Sequence, residues 1–172
     1  MAEALARISQ VQDMGMIQIR ADLTAAGAAI AQATGLAVPG KTATTRDQGR
    51  LLGWMSPDEL LLVLPRADVP AMVEALQQGL AGQHALVLDV SDMRAMFRIQ
   101  GDRAWQVLAK LCPTDLSAMP QDGLRRTRAA QVACGIWCEP GGFVLVGFRS
   151  VTDYLAELLR GAAAPGTTLE PR

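Results

Sequence analysis

Apolar and polar residues alternate from Met14 to Arg20, the two-residue period of a half-buried strand. The period then lengthens. Asp22 is placed to cap a helix whose Leu23, Ala26, Gly27 and Ile30 fall on one face. Residues 37–50 are polar, with Pro39-Gly40 and several threonines, and read as a loop. Two apolar runs, 51–55 and 60–64, flank Ser56-Pro57-Asp58-Glu59. Proline second in such a tetrad is type I turn chemistry, which predicts a hairpin. Val69, Met72, Val73, Leu76 and Leu80 recur at helical spacing, and residues 85–90 read as a buried strand. The order β-α-β-β-α-β is the split pattern of ferredoxin-like units.

The series then starts again. A strand is predicted over 94–100. A helix follows, with Trp105, Leu108, Ala109 and Cys112 inward, ended by Cys112-Pro113. A loop over 114–123 leads to a strand region over 126–138. Glu139-Pro140-Gly141-Gly142 turns the chain into a strand over 143–147. Ser150 and Asp153 have capping-box spacing for a last helix with Val151, Tyr154, Leu155 and Leu158 inward. Residues 161–172 read as a loose tail. The two series match residue by residue. Ile17-Gln18-Ile19-Arg20-Ala21-Asp22 lies on Phe97-Arg98-Ile99-Gln100-Gly101-Asp102, and Trp54-x-x-Pro57 on Trp137-x-x-Pro140. Further on, Arg66 meets Arg149 and Glu74 meets Glu157. An internal repeat sets the architecture. The expected fold class is α+β, with two pseudo-repeated β-α-β-β-α units sharing a core, about 14–90 and about 93–160. They form a single domain, 1–172, because neither half alone buries much surface.

Composition narrows the function classes. Half of the 172 residues are hydrophobic and 19% are charged, so the chain has the means to fold. With 16 basic and 17 acidic residues the net charge is -1, which gives no electrostatic ground for nucleic acid or an anionic membrane as partner. No apolar run reaches the roughly 20 residues of a membrane helix. The first residues are acidic early and lack an apolar signal core, so no secretion signal is expected. Three cysteines suit reduced thiols in a cytoplasm better than a disulfide scaffold. Eight methionines predict an apolar contact area for a partner.

Catalytic material is scarce. The single histidine, His84, stands between a glycine-glutamine pair and a strand, with no further metal ligands spaced near it. Cys134 and Cys138 share a strand face but lack the C-x-x-C spacing of zinc or redox sites, so they read as structural thiols. No glycine-rich phosphate cradle and no nucleophile elbow is present. The densest polar cluster is Asp89-Val90-Ser91-Asp92-Met93-Arg94, the link between the copies. The plainer reading has Asp89 and Asp92 satisfying turn N–H groups and pairing with Arg94. Asp58-Glu59 reads as a solvated hairpin tip. Arg125-Arg126-Thr127-Arg128 is a basic run, either a solvated strand face or a grip for a partner's carboxylates.

Three segments together carry a family likeness: Trp54-x-x-Pro57-Asp58-Glu59-Leu60-Leu61-Leu62-Val63, Asp89-Val90-Ser91-Asp92-x-Arg94, and Leu108-Ala109-x-x-Cys112-Pro113-Thr114-Asp115-Leu116. With them the chain resembles the gamma subunit of heterotetrameric sarcosine oxidase, from about Met14 to about Leu159. The resemblance implies an assembly with alpha, beta and delta subunits that oxidatively demethylates sarcosine. Flavins, NAD and tetrahydrofolate would be held by the larger subunits, with no cofactor and no catalytic residue on this chain. It also implies the folate-binding fold of the aminomethyltransferase (glycine-cleavage T-protein) group, a duplicated α+β unit. On this reading Trp54, Asp58, Asp89, Asp92, Arg94, Cys112 and Asp115 are structural or interface residues. The alternative is a freestanding folate-fold protein that binds a pterin or acts in one-carbon transfer. It would need a carboxylate to hold the substrate amine, and Asp89 and Asp92 are the candidates.

Overall fold

The computed structural model describes residues 3–169. Along them run β1 (Arg7–Val11), β2 (Met14–Arg20), α1 (Leu23–Thr34), β3 (Thr44–Asp47), β4 (Arg50–Ser56), β5 (Glu59–Pro65), α2 (Val69–Gly79) and β6 (Leu86–Asp89). Then follow β7 (Arg94–Gln100), α3 (Ala104–Leu111), β8 (Leu124–Ala129), β9 (Val132–Glu139), β10 (Gly142–Phe148) and α4 (Thr152–Ala163). The chain divides into two compact units. One is Asp13–Asp92; the other joins the chain from Met93 onward to the residues up to Gln12.

Each unit holds one antiparallel sheet. Their strand orders are β3-β4-β5-β2-β6 and β8-β9-β10-β7-β1. The two orders correspond strand for strand, as the sequence repeat requires. One feature of the connectivity is not visible in the periodicity. β1 precedes β2 in the chain but pairs with β7, Arg7 opposite Gln100. β6 precedes β7 but pairs with β2, Ile17 opposite Asp89. β6 thus closes the sheet of its own copy, whereas β1, which precedes the first copy, joins the sheet of the second. Arg7–Val11 is short and mostly polar, so its alternation alone does not mark it as a strand.

Side-chain parity explains the burial. Ile17 and Ile19 of β2 and Leu60, Leu62 and Leu64 of β5 form one cluster with Ala26, Ile30, Met72 and Leu76 of the two helices. Met16, Leu61 and Val63 point to the opposite face and are buried as well. In the other unit Ala95, Phe97, Ile99, Ile136 and Leu145 cluster with Val107, Leu108, Leu155 and Leu159. Met96, Val144 and Val146 are buried on that sheet's opposite face. Burial on both faces is what an unbroken run such as Leu60 to Leu64 requires.

Several expectations are corrected. Residues 37–50 are not all loop, since β3 occupies Thr44–Asp47 and pairs with β4. The strand after α2 is not buried: β6 is a sheet edge, with Leu86 46% and Leu88 41% exposed. The region 126–138 is two strands, β8 and β9, joined at Ala130-Gln131, where Ala130 has φ 51°. Trp105 and Tyr154 face outward, 47% and 46% exposed. Ala104 and Val107, with Ala156 and Leu159, take the inner positions instead. The capping box does not form, as α4 starts without a side-chain cap and the Thr152 hydroxyl donates to the Arg149 carbonyl. The stretch from Gly161 to Leu169 is not loose. α4 runs to Ala163, Lys110 Nζ donates to Ala162 O and Thr167 Oγ1, and Leu169 N donates to Gln106 Oε1. Residues 170–172 lie outside the described residues.

Candidate functional site: the link between the copies

The polar link leaves β6 at Asp89 and enters β7 at Arg94. Its first half belongs to the unit 13–92 and is tied down by a buried serine. Ser91 is 2% exposed. Its Oγ accepts from Met16 N at 2.9 Å and donates to Asp89 Oδ1 at 2.5 Å. Asp89 Oδ1 also accepts from Ser91 N at 2.9 Å, the side-chain turn expected of an aspartate two residues upstream. Val90 N donates to Met16 O, extending the β6–β2 ladder. Asp92 Oδ1 meets Arg66 Nη2 at 2.8 Å, and Arg66 N donates to Asp13 O. Three remote pieces, the entrance of β2, the turn Arg66–Asp68 and the link, thus converge on one point.

Gly15 explains how close they come. A Cβ there would overlap Val69 Cγ2 and stand 3.1 Å from Ser91 Oγ. Asp89 therefore orders a turn, while Asp92 stands in an ion pair with Arg66 whose carboxylate side chain is 80% exposed. An exposed pair of this kind contributes little to stability. Ser91→Ala removes the acceptor of Met16 N and is expected to cost about 1–3 kcal/mol. Equilibrium urea unfolding reads it as a lower midpoint at unchanged slope. An unchanged midpoint would show that Ser91 does not anchor the link.

The second half of the link lies in the other unit. Arg94 CZ sits 4.3 Å from the centroid of the Phe148 ring, a cation–π contact. Arg149 N donates to Met93 O beside it.

The remaining candidates lie elsewhere. Trp54 packs, partly buried, against the cluster of its own unit. Asp58 is on the β4–β5 turn, accepting from Ser56 Oγ at 2.7 Å and meeting Arg20 Nη2 at 2.5 Å. These hydrogen bonds, from Ser56 first and Arg20 second, hold its carboxyl below the ordinary carboxylate value. Asp115 accepts from Ser117 Oγ, Ser117 N and Ala118 N, a loop-ordering pattern that lowers it likewise. Cys112 caps the end of α3 and is hydrogen-bonded to Cys134 of β9. That contact, followed by burial, pushes the Cys134 thiol far up, so it stays protonated. Cys138 Sγ lies 3.4 Å from Pro120 O. All three thiols are free and buried.

The structure thus brings Asp89 and Asp92 together at the link and leaves Trp54, Asp58, Cys112 and Asp115 at separate places. Sequence reasoning missed Ser91, Gly15 and Arg66. Ser91 stood inside the quoted motif, but nothing local marks it as buried. Among the described residues no three His, Cys, Asp or Glu side chains gather to hold a metal. Two surface clefts of about 530 Å³ occur in the unit that starts at Met93. One runs along Glu3–Arg7 and Gln100–Arg103, the other between α3 and α4.

Two similar units, each a five-stranded sheet with two helices, make a duplicated α+β fold, and that fold is shared with an aminomethyltransferase. Glycine cleavage aminomethyltransferase T from Bartonella henselae superposes over 93% of this chain and 46% of its own, with TM-score 0.69 at 17% identity. The narrower assignment comes from sequence. The model of the sarcosine oxidase, gamma subunit family matches residues 19–165, and the chain belongs to that family. A chain of heterotetrameric sarcosine oxidase from Corynebacterium sp. U-96, in complex with pyrrole 2-carboxylate, superposes with TM-score 0.86 at 25% identity, covering 97% of this chain and 88% of that one. Sarcosine oxidase subunit gamma of Corynebacterium sp. (strain U-96) is 36% identical over 52% of this chain and 43% of the relative. The Arthrobacter sp. subunit gamma is 32% identical over 58% and 50%. The matched segments span about half the length of these curated relatives or less.

Proposed function

We propose that this chain is a non-catalytic gamma subunit of a heterotetrameric sarcosine oxidase-like complex, with a structural role in assembly. Family membership over residues 19–165 is the observation that carries the reading. The engagement of two candidate carboxylates supports it. The aspartates that an enzyme of this fold would need for a substrate amine are engaged, Asp89 in a turn and Asp92 with Arg66. The partners are the alpha, beta and delta subunits, which hold the flavins, NAD and tetrahydrofolate and oxidise sarcosine or a related N-methyl amino acid. The complex works in the cytoplasm. No helix among the described residues is long and apolar enough to cross a membrane.

Co-expression with the other three subunits tests this. A stable complex containing the chain is expected. Asp89→Ala should lower the yield of complex, and both Asp89→Ala and Asp92→Ala should leave turnover per assembled complex unchanged. A loss of turnover of about a hundredfold, with assembly intact, would instead mark a catalytic carboxylate and the one-carbon-transfer alternative.

A further inference from the structure

We propose that strand β6 is the edge to which a partner subunit adds an extended, apolar strand; this rests on the subunit reading above. β6 ends its sheet, paired with β2 on one side only. Val90 N donates to Met16 O, which fixes the alternation of the ladder. Leu88 and Leu86, opposite Gln18 and Arg20, therefore turn their backbone groups towards β2. Val87 and Asp89 turn theirs outward, where another extended backbone can continue the ladder. The side chains alternate as well. Val87 packs on the helix-side cluster, while Leu86 and Leu88 project from the other face, 46% and 41% exposed. Beside them Arg20 is engaged with Asp58 and Gln18 with Glu59, so the rim offers neutralised charges and two bare leucines. The complementary occupant is a strand with apolar residues two apart on that face.

The fold itself does not need these leucines, as its repeat shows. β1 is the matching edge of the other sheet. Ile17-Gln18-Ile19-Arg20 corresponds to Phe97-Arg98-Ile99-Gln100, so the two registers set Leu86 on Arg7, Val87 on Ile8, Leu88 on Ser9 and Asp89 on Gln10. The inward position is apolar in both edges, Val87 and Ile8, each packed on the cluster of its own unit. The outward positions differ. β1 carries an arginine and a serine there, and Arg7 Nη2 donates to Gln100 Oε1 at 2.7 Å. A charged, polar outer row is an ordinary means of keeping a sheet edge unpaired. β6 has leucine at both places, the composition of an edge that is covered in an assembly.

The test uses the co-expressed four-subunit complex and the isolated full chain. Leu86→Arg/Leu88→Ser writes the outer row of β1 onto β6. The isolated variant should melt within about 2 °C of wild type, because the two positions are exposed and the new residues already occur at the matching edge. Its dissociation from the tagged partners should be at least about tenfold faster than that of wild type. Hydrogen exchange read by mass spectrometry should show residues 85–90 more protected in the wild-type complex than in the isolated chain, as the Val87 and Asp89 amides gain partners. If the double variant melts early, Leu88→Ser alone decides in the same way. Wild-type-like retention of a folded variant, or no added protection of residues 85–90, would overturn the β6 proposal and leave the subunit reading standing. A second copy would be the occupant if the isolated wild type dimerised in sedimentation, the variant did not, and the complex kept the variant; that too would overturn it. Failure of the wild type to associate at all would remove both.

Discussion

Gly142→Ala is expected to lower the melting temperature by about 6–12 °C, from a loss of about 3 kcal/mol. Gly142 opens β10 opposite Gln100 of β7. A Cβ there would overlap the Ile99 carbonyl oxygen and lie 3.0 Å from the Ile99 carbonyl carbon and 3.1 Å from Gln100 Cα. These are backbone atoms of a central strand held on both sides, by β1 and by β10. They cannot swing away as a side chain can, so the β7–β10 pairing must shift. Gly141 is the control. Its φ of 78° strains any side chain, but a Cβ there meets nothing within 4 Å. Gly141→Ala should therefore cost only about 1–2 kcal/mol, the left-handed penalty. Thermal denaturation followed by circular dichroism separates the two. Equal melting of Gly142→Ala and wild type would mean that β10 does not approach β7 so closely.

Phe97→Ala should cost about 3–5 kcal/mol, a large share of the roughly 5–15 kcal/mol that holds a protein folded. Phe97 is 1% exposed in the middle of β7, within the cluster that α3 and α4 close. Its removal leaves a void between a strand paired on both sides and two helices, and neither layer can collapse into it. Ile17 holds the matching position of the first copy and is 0% exposed. Ile17→Ala should cost about 2–5 kcal/mol by the same mechanism in the other unit. Urea unfolding at constant slope measures both losses. A midpoint shift worth less than about 1 kcal/mol for Phe97→Ala would contradict the burial described for β7.

The candidate site was legible in part. Asp89 was placed correctly as a turn-ordering carboxylate, because aspartate two residues before a backbone N–H is a local signature. Asp92 was expected beside Arg94, two residues away. Asp92 also pairs with Arg66, twenty-six residues upstream, a partner that proximity in sequence does not suggest. Trp105 and Tyr154 were expected inside because their spacing fits a helical stripe. Spacing names a face but not which flank of it meets the sheet, and smaller residues sit on the sheet side of α3 and α4.

The sequence by itself determined the repeat, the order of most elements and the family. Those rest on short-range signals: strand and helix periods, turn residues and motif segments that recur in the same register. Asp22, for instance, caps α1 by accepting from Thr24 N, as its position foretold. Tertiary structure alone decided which strand pairs with which. β1 precedes the first copy yet joins the sheet of the second beside β7, and β6 pairs with β2, choices set by long-range hydrogen bonding. It also decided that Ser91 is buried, that Gly15 must lack a side chain, and that Cys112 meets Cys134. Each of these depends on two or three segments distant in sequence arriving at one place, and no local pattern encodes such an arrival.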